Sequence, residues 1–269
     1  MSPVPLLQAS DPSLYGSKAA RLGAALRAGL PVPAGVALPV AMVEALAAAG
    51  AAADAHRLGQ VLSAAGGRAA VRSSAVGEDS ALASFAGQFT TELNITSVAS
   101  LEAAIRAVAR SGQSPASALY RTRLGIAGPL RMAVIVQQLV SAEVAGVLFT
   151  RDPLTQQDTC LIEAAWGSGE VVVSGRVTPD SFRLDSQGRV CERRLGLKDV
   201  QVQPRPAGGM QELPVASGRA RMPCLRDSEL AELHQLARRC EALFGPSLDL
   251  EWALCQGKLF LLQCRPITR

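Results

Sequence analysis

The sequence has few aromatic residues, only 4% of its 269 residues, so alanine, leucine and valine must form most of any core. Hydrophobic residues still reach 48% and charged residues 19%, a balance typical of a globular protein and not of a disordered chain. This length is sufficient for one large domain or for two packed subdomains.

The sequence also lacks the patterns typical of membrane-spanning, secreted, nucleic-acid-binding and zinc-binding proteins. No apolar run reaches the roughly 18 residues that span a membrane, and residues 2–12 do not resemble a signal peptide. The net charge of +4 is small and the basic residues are scattered, which argues against a nucleic-acid surface. The six cysteines form no C-x-x-C pair and no zinc-like spacing, as expected for reduced thiols. We therefore expect a cytoplasmic protein without a membrane or nucleic-acid partner.

The hydrophobic pattern predicts an α+β chain with a helix-rich first half and a strand-rich second half. Short runs rich in β-branched residues between 131 and 166 indicate strands, and a hairpin is predicted around Gln187-Gly188. Residues 201–223 are rich in proline and glycine and are predicted to form a loop. Helical periodicity predicts helices at 17–29, 41–49, 100–110, 115–124 and 227–244. One face of the last helix is predicted to carry Leu230, Leu233, Leu236, Ala237 and Leu243.

The last hairpin, residues 249–265, carries a polar pattern. Alternation places Asp249 and Glu251 on one face of its first strand, and Gln263 and Arg265 on one face of the return strand. Carboxylate and amide oxygens are ligands that Mg²⁺ prefers, and an adjacent arginine suits phosphate. The patch is therefore either a metal and phosphate site or an ordinary surface salt bridge.

The register of this hairpin depends on its turn. A two-residue turn at Gln256-Gly257 would pair Glu251 with Leu262, whereas an odd-length loop around the same glycine pairs Glu251 with Gln263. The odd-length loop keeps polar residues opposite polar residues, so it is the predicted arrangement.

The stretch "AVRSSAVGEDSALASFAGQ", residues 70–88, is typical of a glycine- and serine-containing loop that holds phosphate. It has one arginine, Arg72, and no lysine, so it is not the phosphate loop that ends in Gly-Lys-Ser or Gly-Lys-Thr.

Five segments resemble, in order, the nucleotide-binding domain of phosphoenolpyruvate synthase, pyruvate phosphate dikinase and rifampicin phosphotransferase. Together they run from about residue 15 to residue 268. Five collinear motifs are far more specific than any single one. The segments are "YGSKAARLGAALRAGLPVPAGVAL", "AVRSSAVGEDSALASFAGQFTTELNI", "VIVQQLVSAEVAGVLFTRDP", "IEAAWGSGEVVVSGRVTPDSF" and "DLEWALCQGKLFLLQCRPIT".

The resemblance implies an ATP-grasp fold in which two subdomains, residues 1–139 and 140–269, clasp ATP. It implies that Lys18, Arg72 and Arg265 contact the phosphates and act in catalysis. The other positions implied to bind the nucleotide are Ser84, Ala86 and Gly87 in a lid, Gln138, Leu139 and Val140 along the adenine edge, and Glu170, whose role is ribose contact or structural. The residues implied to hold Mg²⁺ are Glu251 and Gln263, with Asp249 beside them.

Relatives of this kind usually continue into a domain with a phosphorylated histidine and a domain that binds the final substrate. Neither His56 nor His234 has an acidic or glycine context suited to phosphorylation. The resemblance therefore favours an ATP-activating, AMP-forming subunit that phosphorylates a histidine on a separate chain, with substrate bound by another. Two alternatives stay open: a self-contained kinase or ligase that forms ADP, and an ATP-binding regulatory module.

Overall fold

A computed structural model of the protein describes residues 2–48, 54–77, 89–115, 130–153, 155 and 157–267. None of the helices in these ranges is long and apolar enough to cross a membrane. The helices are α1 (Pro12–Arg27), α2 (Val40–Ala48), α3 (Ala55–Ala64), α4 (Val98–Ser111), α5 (Glu170–Val173), α6 (Ser217–Ala220) and α7 (Asp227–Phe244), and Leu6–Gln8 form a 3₁₀ turn. The strands are β1 (Val4–Pro5), β2 (Gly35–Leu38), β3 (Ala69–Ala75), β4 (Glu92–Ile95), β5 (Met132–Gln138), β6 (Val144–Phe149), β7 (Cys160–Trp166), β8 (Asp180–Leu184), β9 (Val190–Arg194), β10 (Val200–Pro204), β11 (Met210–Pro214), β12 (Leu248–Cys255) and β13 (Lys258–Pro266).

The strands form two larger sheets, each built from one half of the chain. Among the described residues, the first sheet has the order β1-β2-β5-β3-β4 and the second has the order β13-β12-β6-β7-β8-β9. The paired strands in both sheets are antiparallel. Helices and antiparallel sheets thus occur together in one chain, as the sequence pattern predicts.

Two hydrophobic clusters pack the helices against the two larger sheets. The larger one joins α1 and α7 to the second sheet and also includes Ile135 of the first sheet, so the two sheets share a core. The other lies between the first sheet and helices α2, α3 and α4. Full burial of one leucine or valine contributes about 1.5–3 kcal/mol, so these clusters account for much of the folding free energy.

Helix α7 has the predicted bounds, but its last turn differs from the prediction. Leu230, Leu233 and Leu236 are buried as expected. Leu243, which was placed on the same face, is 40% exposed, and the neighbouring Phe244 packs against the core instead. The predicted helix at 115–124 lies almost entirely outside the described residues.

The predicted loop at 201–223 is wrong. Strands β10 and β11 pair from Val200↔Pro214 to Pro204↔Met210, and α6 follows. Pro206, Gly208 and Gly209 lie in the turn of this hairpin, where the two glycines have positive φ angles of 110° and 69°. Pro204 and Pro214 are the last residues of the two strands. Turn residues therefore obscured two short strands on either side of them.

This hairpin turn contacts the first sheet through Asn94, the last but one residue of β4. The Asn94 side-chain amide donates hydrogen bonds of 2.7 Å to the carbonyls of Arg205 and Gly209. Arg68 adds a 2.6 Å bond to the carbonyl of Pro206. These contacts join the two halves of the chain.

Replacing Asn94 with alanine is expected to lower the free energy of unfolding by about 2–3 kcal/mol. Asn94 has a φ of 58°, in a region that costs an alanine about 1–2 kcal/mol, and its buried hydrogen bonds would also be lost. Urea denaturation measures the change. The free energy of unfolding of Asn94→Gly should lie between the values of the parent and of Asn94→Ala, since glycine tolerates this φ. Equal stability of the two variants would contradict a contribution from the backbone conformation.

Candidate functional site

A cleft of about 530 Å³ lies between the two sheets and has walls from both halves of the chain. Its volume falls within the range of small-molecule sites, which is roughly 300–1,000 Å³. Val140, Ala142, Ala145 and Ala253 pack together along one part of it, whereas charged residues of α1, β3, β12 and β13 line another. The cleft can therefore receive a ligand with an apolar body and a charged end.

Arg72 connects the two halves of the chain inside this cleft. It lies in the middle of β3, which is buried along its whole length. Its Nη1 donates a 2.6 Å hydrogen bond to the carbonyl of Leu262, and its Nη2 donates bonds of 2.7 Å to Glu251 Oε2 and 2.9 Å to Gln263 Oε1. Charge-assisted bonds of this length are strong, so the guanidinium is held in one orientation.

The β12–β13 hairpin has the predicted pairing but not the predicted loop. Glu251 lies opposite Gln263, as the match of polar residues indicated. The turn nevertheless has two residues, Gln256 and Gly257, with φ angles of 51° and 69°. A bulge between Glu251 and Trp252 shifts the register by one residue and brings the polar residues opposite each other. Leu262 is the extra residue in this bulge, and its carbonyl is the one that Arg72 contacts.

The charges around Glu251 keep it ionised. Its side chain is 28% exposed, and burial by itself would raise its pKa. The positive charges of Arg72, Lys18 and Arg265 outweigh this effect, so the pKa of Glu251 lies below its ordinary value. Arg265 in turn donates hydrogen bonds of 2.8 Å and 2.6 Å to Asp249 Oδ2. Glu251, Gln263 and Arg265 thus line the charged end of the cleft. Asp249 does not line it but is held beside it by Arg265.

Lys18 enters the same end of the cleft from α1 and is buried. Helix α1 is interrupted at Gly16, whose φ of 77° and ψ of 163° are not helical. The regular part of the helix therefore begins at Ser17, the start that the sequence pattern predicts, and Lys18 lies in its first turn.

The predicted adenine edge begins at the last residue of β5. The Gln138 N–H donates to the carbonyl of Ala34 and the Leu139 N–H donates to the carbonyl of Arg68. Within the described residues the N–H of Val140 donates no hydrogen bond. All three residues line the cleft, but Val140 is the one whose backbone donor is available to a ligand.

The remaining predicted positions differ in how the structure places them. Glu170 lies at the start of α5 and lines the cleft, and burial raises its pKa. Glu163, the acid on the other side of the Trp166-Gly167 turn, is in β7 and does not line the cleft. Ser84, Ala86 and Gly87 of the predicted lid lie outside the described residues. Among the residues that the structure describes, no group of three or more His, Cys, Asp or Glu side chains could hold a metal ion.

No role was predicted for Ser74, which is fully buried next to this site. Ser168 and Val173, which line the cleft near Glu170, were not predicted either. Ser74 could have been found from its spacing, because residues two apart on a strand face the same side and Arg72 is two residues away. Ser168 and Val173 carry no comparable local signal.

The chain is similar to several larger proteins. Residues 51–269 match the family described as pyruvate phosphate dikinase, AMP/ATP-binding domain. The chain is 41% identical over 201 residues to a rifampicin phosphotransferase of Streptomyces sviceus, covering 74% of this chain and 23% of that protein. It is 39% identical over 206 residues to the prodigiosin synthesizing transferase PigC of Serratia marcescens, covering 76% and 23%.

A third relative is a probable phosphoenolpyruvate synthase of Methanocaldococcus jannaschii, 37% identical over 202 residues, with coverage of 74% and 17%. The chain thus matches less than a quarter of the length of these three relatives.

Proposed function

Since the chain belongs to the pyruvate phosphate dikinase, AMP/ATP-binding domain family, we propose that its cleft binds ATP and activates it for phosphoryl transfer. One observation carries this proposal. Lys18, Arg72 and Arg265, together with the ionised Glu251, meet at one end of a cleft whose other end is apolar and offers a backbone N–H. Positioning and charge neutralisation make up most of the catalysis of phosphoryl transfer, and this arrangement can supply both.

We further propose an ATP-grasp fold in which residues 1–139 and 140–269 form two subdomains around the nucleotide. The membership of the sheets supports this division, because β1 to β5 belong to one larger sheet and the other larger sheet begins with β6. The position of the cleft between the sheets also supports it.

In this proposal the nucleotide lies with its base at the apolar end. Adenine would pack against the apolar side chains and accept a hydrogen bond from the Val140 N–H, the available donor along Gln138, Leu139 and Val140. Glu170 would lie near the ribose. The phosphates would then reach Lys18, Arg72 and Arg265, with Ser84, Ala86 and Gly87 as the lid over them.

The residues at the charged end fit a magnesium ion. Glu251 supplies a carboxylate and Gln263 supplies an amide oxygen, with the Asp249 carboxylate beside them. These are the donor types that Mg²⁺ takes in combination with phosphate oxygens. The low pKa of Glu251 keeps one of these donors anionic. Arg72 already contacts Glu251 Oε2 and Gln263 Oε1, so these two oxygens serve either the guanidinium or a cation. A bound Mg²⁺ would supply neutralisation of the phosphate charge.

The acceptor in this proposal is a histidine on a separate chain, and the final substrate is bound by another. His56 and His234 lie in α3 and α7, and neither lines the cleft. The reaction would consume ATP and water, move the β-phosphoryl group to the histidine and release AMP and phosphate. Direct γ-phosphoryl transfer to a small molecule with formation of ADP is the second candidate, and ATP binding without turnover is the third.

A label-transfer assay tests the three possibilities. The protein is incubated with Mg²⁺, host extract and ATP labelled on either the β- or the γ-phosphate, and protein bands and nucleotides are followed. Movement of the β-label to a protein with release of AMP supports the split system. Movement of the γ-label to a small molecule with release of ADP supports the second candidate, and binding without any product supports the third.

Replacing Lys18 with alanine is expected to weaken ATP binding by about 10- to 100-fold and to leave adenosine binding unchanged. A hydrogen bond to a charged group contributes about 1.5–3 kcal/mol, and adenosine carries no phosphate for Lys18 to contact. Calorimetric titration with both ligands measures the difference. Lys258→Ala is the matched control, because Lys258 is exposed and does not line the cleft. Equal affinity of the parent for adenosine and ATP would contradict the role of Lys18.

A further inference from the structure

We infer that Ser74 is a positioning residue that holds Lys18 in register with Arg72 at the charged end of the cleft. This inference rests on the proposed ATP site. Ser74 is fully buried in β3, and its hydroxyl contacts α1 on both sides of the interruption at Gly16. Oγ accepts a 3.0 Å hydrogen bond from the Ala19 N–H and donates a 2.7 Å bond to the carbonyl of Tyr15.

The hydroxyl acts as a helix cap supplied by a different part of the chain. The first N–H groups of a helix have no partner inside it, and a side chain at the residue before the helix usually accepts one of them. In α1 that residue is Gly16, which has no side chain. Ala19 is the third residue of the regular helix that begins at Ser17, and Ser74 accepts its N–H from 55 positions away in sequence.

The close approach of α1 to β3 depends on glycine. A Cβ atom at Gly16 would lie 1.9 Å from the carbonyl oxygen of Ser74, and the φ of 77° disfavours other residues as well. The backbone of α1 is therefore pressed against Ser74 at the position that precedes Lys18 by two residues. The residues on either side of the Gly16–Lys18 segment, Tyr15 and Ala19, are thus bonded to one hydroxyl group.

The same strand carries the second cation. Arg72 and Ser74 are two residues apart on β3, so both side chains leave the same face of the strand. Arg72 contacts Glu251 in the second sheet, and Ser74 contacts α1. A short, buried piece of β3 thereby sets the distance between Lys18 and Arg72, which must contact phosphates of the same nucleotide.

The test is a double-mutant cycle measured by calorimetric titration with Mg-ATP and with adenosine. Ser74→Ala is expected to weaken ATP binding about tenfold, because the loss of the two hydrogen bonds lets the first turn of α1 move. Adenosine binding should change less than about twofold. In the Lys18→Ala background, Ser74→Ala should cause no additional loss of ATP affinity, since the group that Ser74 positions is then absent.

Ser97→Ala is the matched control. Ser97 also accepts a backbone N–H at a helix N-terminus, from Ser100 at 3.1 Å, but it caps α4 and does not line the cleft. The Ser97→Ala variant should have a lower melting temperature and unchanged affinities for Mg-ATP and adenosine. Full ATP affinity in Ser74→Ala would overturn the inference, as would an equal loss for ATP and adenosine or additive losses in the double variant. A parent protein that binds adenosine and ATP equally would instead overturn the proposed phosphate site, and the role of Ser74 with it.

Discussion

Replacing Arg72 with alanine is expected to reduce turnover of Mg-ATP by about a thousandfold or more while the protein stays folded. Removal of one preorganised donor to a developing charge typically costs about 10²–10³ in rate, and an arginine that stabilises a phosphoryl-transfer transition state contributes about 10³–10⁵. Arg72 also holds Glu251 and Gln263, so its loss disturbs the residues proposed to hold Mg²⁺. The measurement is the rate of formation of AMP or ADP from Mg-ATP in the presence of host extract.

The same assay applied to Glu251→Ala should show a comparable loss, because both side chains belong to one contact. Arg189→Ala is the control for loss of an arginine from an ion pair: Arg189 is paired with Asp185 and is 81% exposed. Surface pairs of that kind contribute about 0–1 kcal/mol, so this variant should keep full turnover. If Arg72→Ala or Glu251→Ala retained parental activity, the site would lie elsewhere.

Replacing Lys198 with methionine is expected to lower the free energy of unfolding by about 3–5 kcal/mol, because breaking a buried ion pair leaves one charge uncompensated. Lys198 and Asp180 are both fully buried and their side chains form a salt bridge. Asp180 also accepts hydrogen bonds from the N–H groups of Gly196 at 2.9 Å and Cys224 at 2.8 Å. This carboxylate therefore ties the start of β8 to two later segments.

Urea denaturation and thermal unfolding measure the effect, and a drop of about 10 °C in melting temperature would match it for a chain of this size. The double variant Lys198→Met with Asp180→Asn should recover part of the loss, because it leaves no buried charge. Removal of an exposed partner, as in Arg193→Ala, should change stability by less than about 0.5 kcal/mol. If the free energy of unfolding of Lys198→Met lay within about 1 kcal/mol of the parent value, the buried charge of Asp180 would not need Lys198 for its stabilisation.

Much of the local structure could be predicted from the sequence, because periodicity is a property of neighbouring residues. Helix α7 has the predicted bounds, and β5, β6 and β7 fall within the runs of β-branched residues. The sequence pattern was misleading where local signals conflicted. Proline and glycine in the turn of β10 and β11 suggested a loop over the whole of 201–223, although two strands flank that turn. Nothing in the pattern indicated that Lys198, one of the three lysines in the chain, is fully buried.

By itself the sequence determined which residues of the last hairpin face each other. Glu251 lies opposite Gln263 because polar side chains share one face of each strand, and alternation encodes that face. The tertiary structure decided how this pairing is reached, through a bulge at Leu262 and not through the loop. It also brought Arg72 to Glu251, 179 positions away, and Ser74 to the interruption in α1. Such contacts depend on the packing of whole sheets and helices, which no short stretch of sequence specifies.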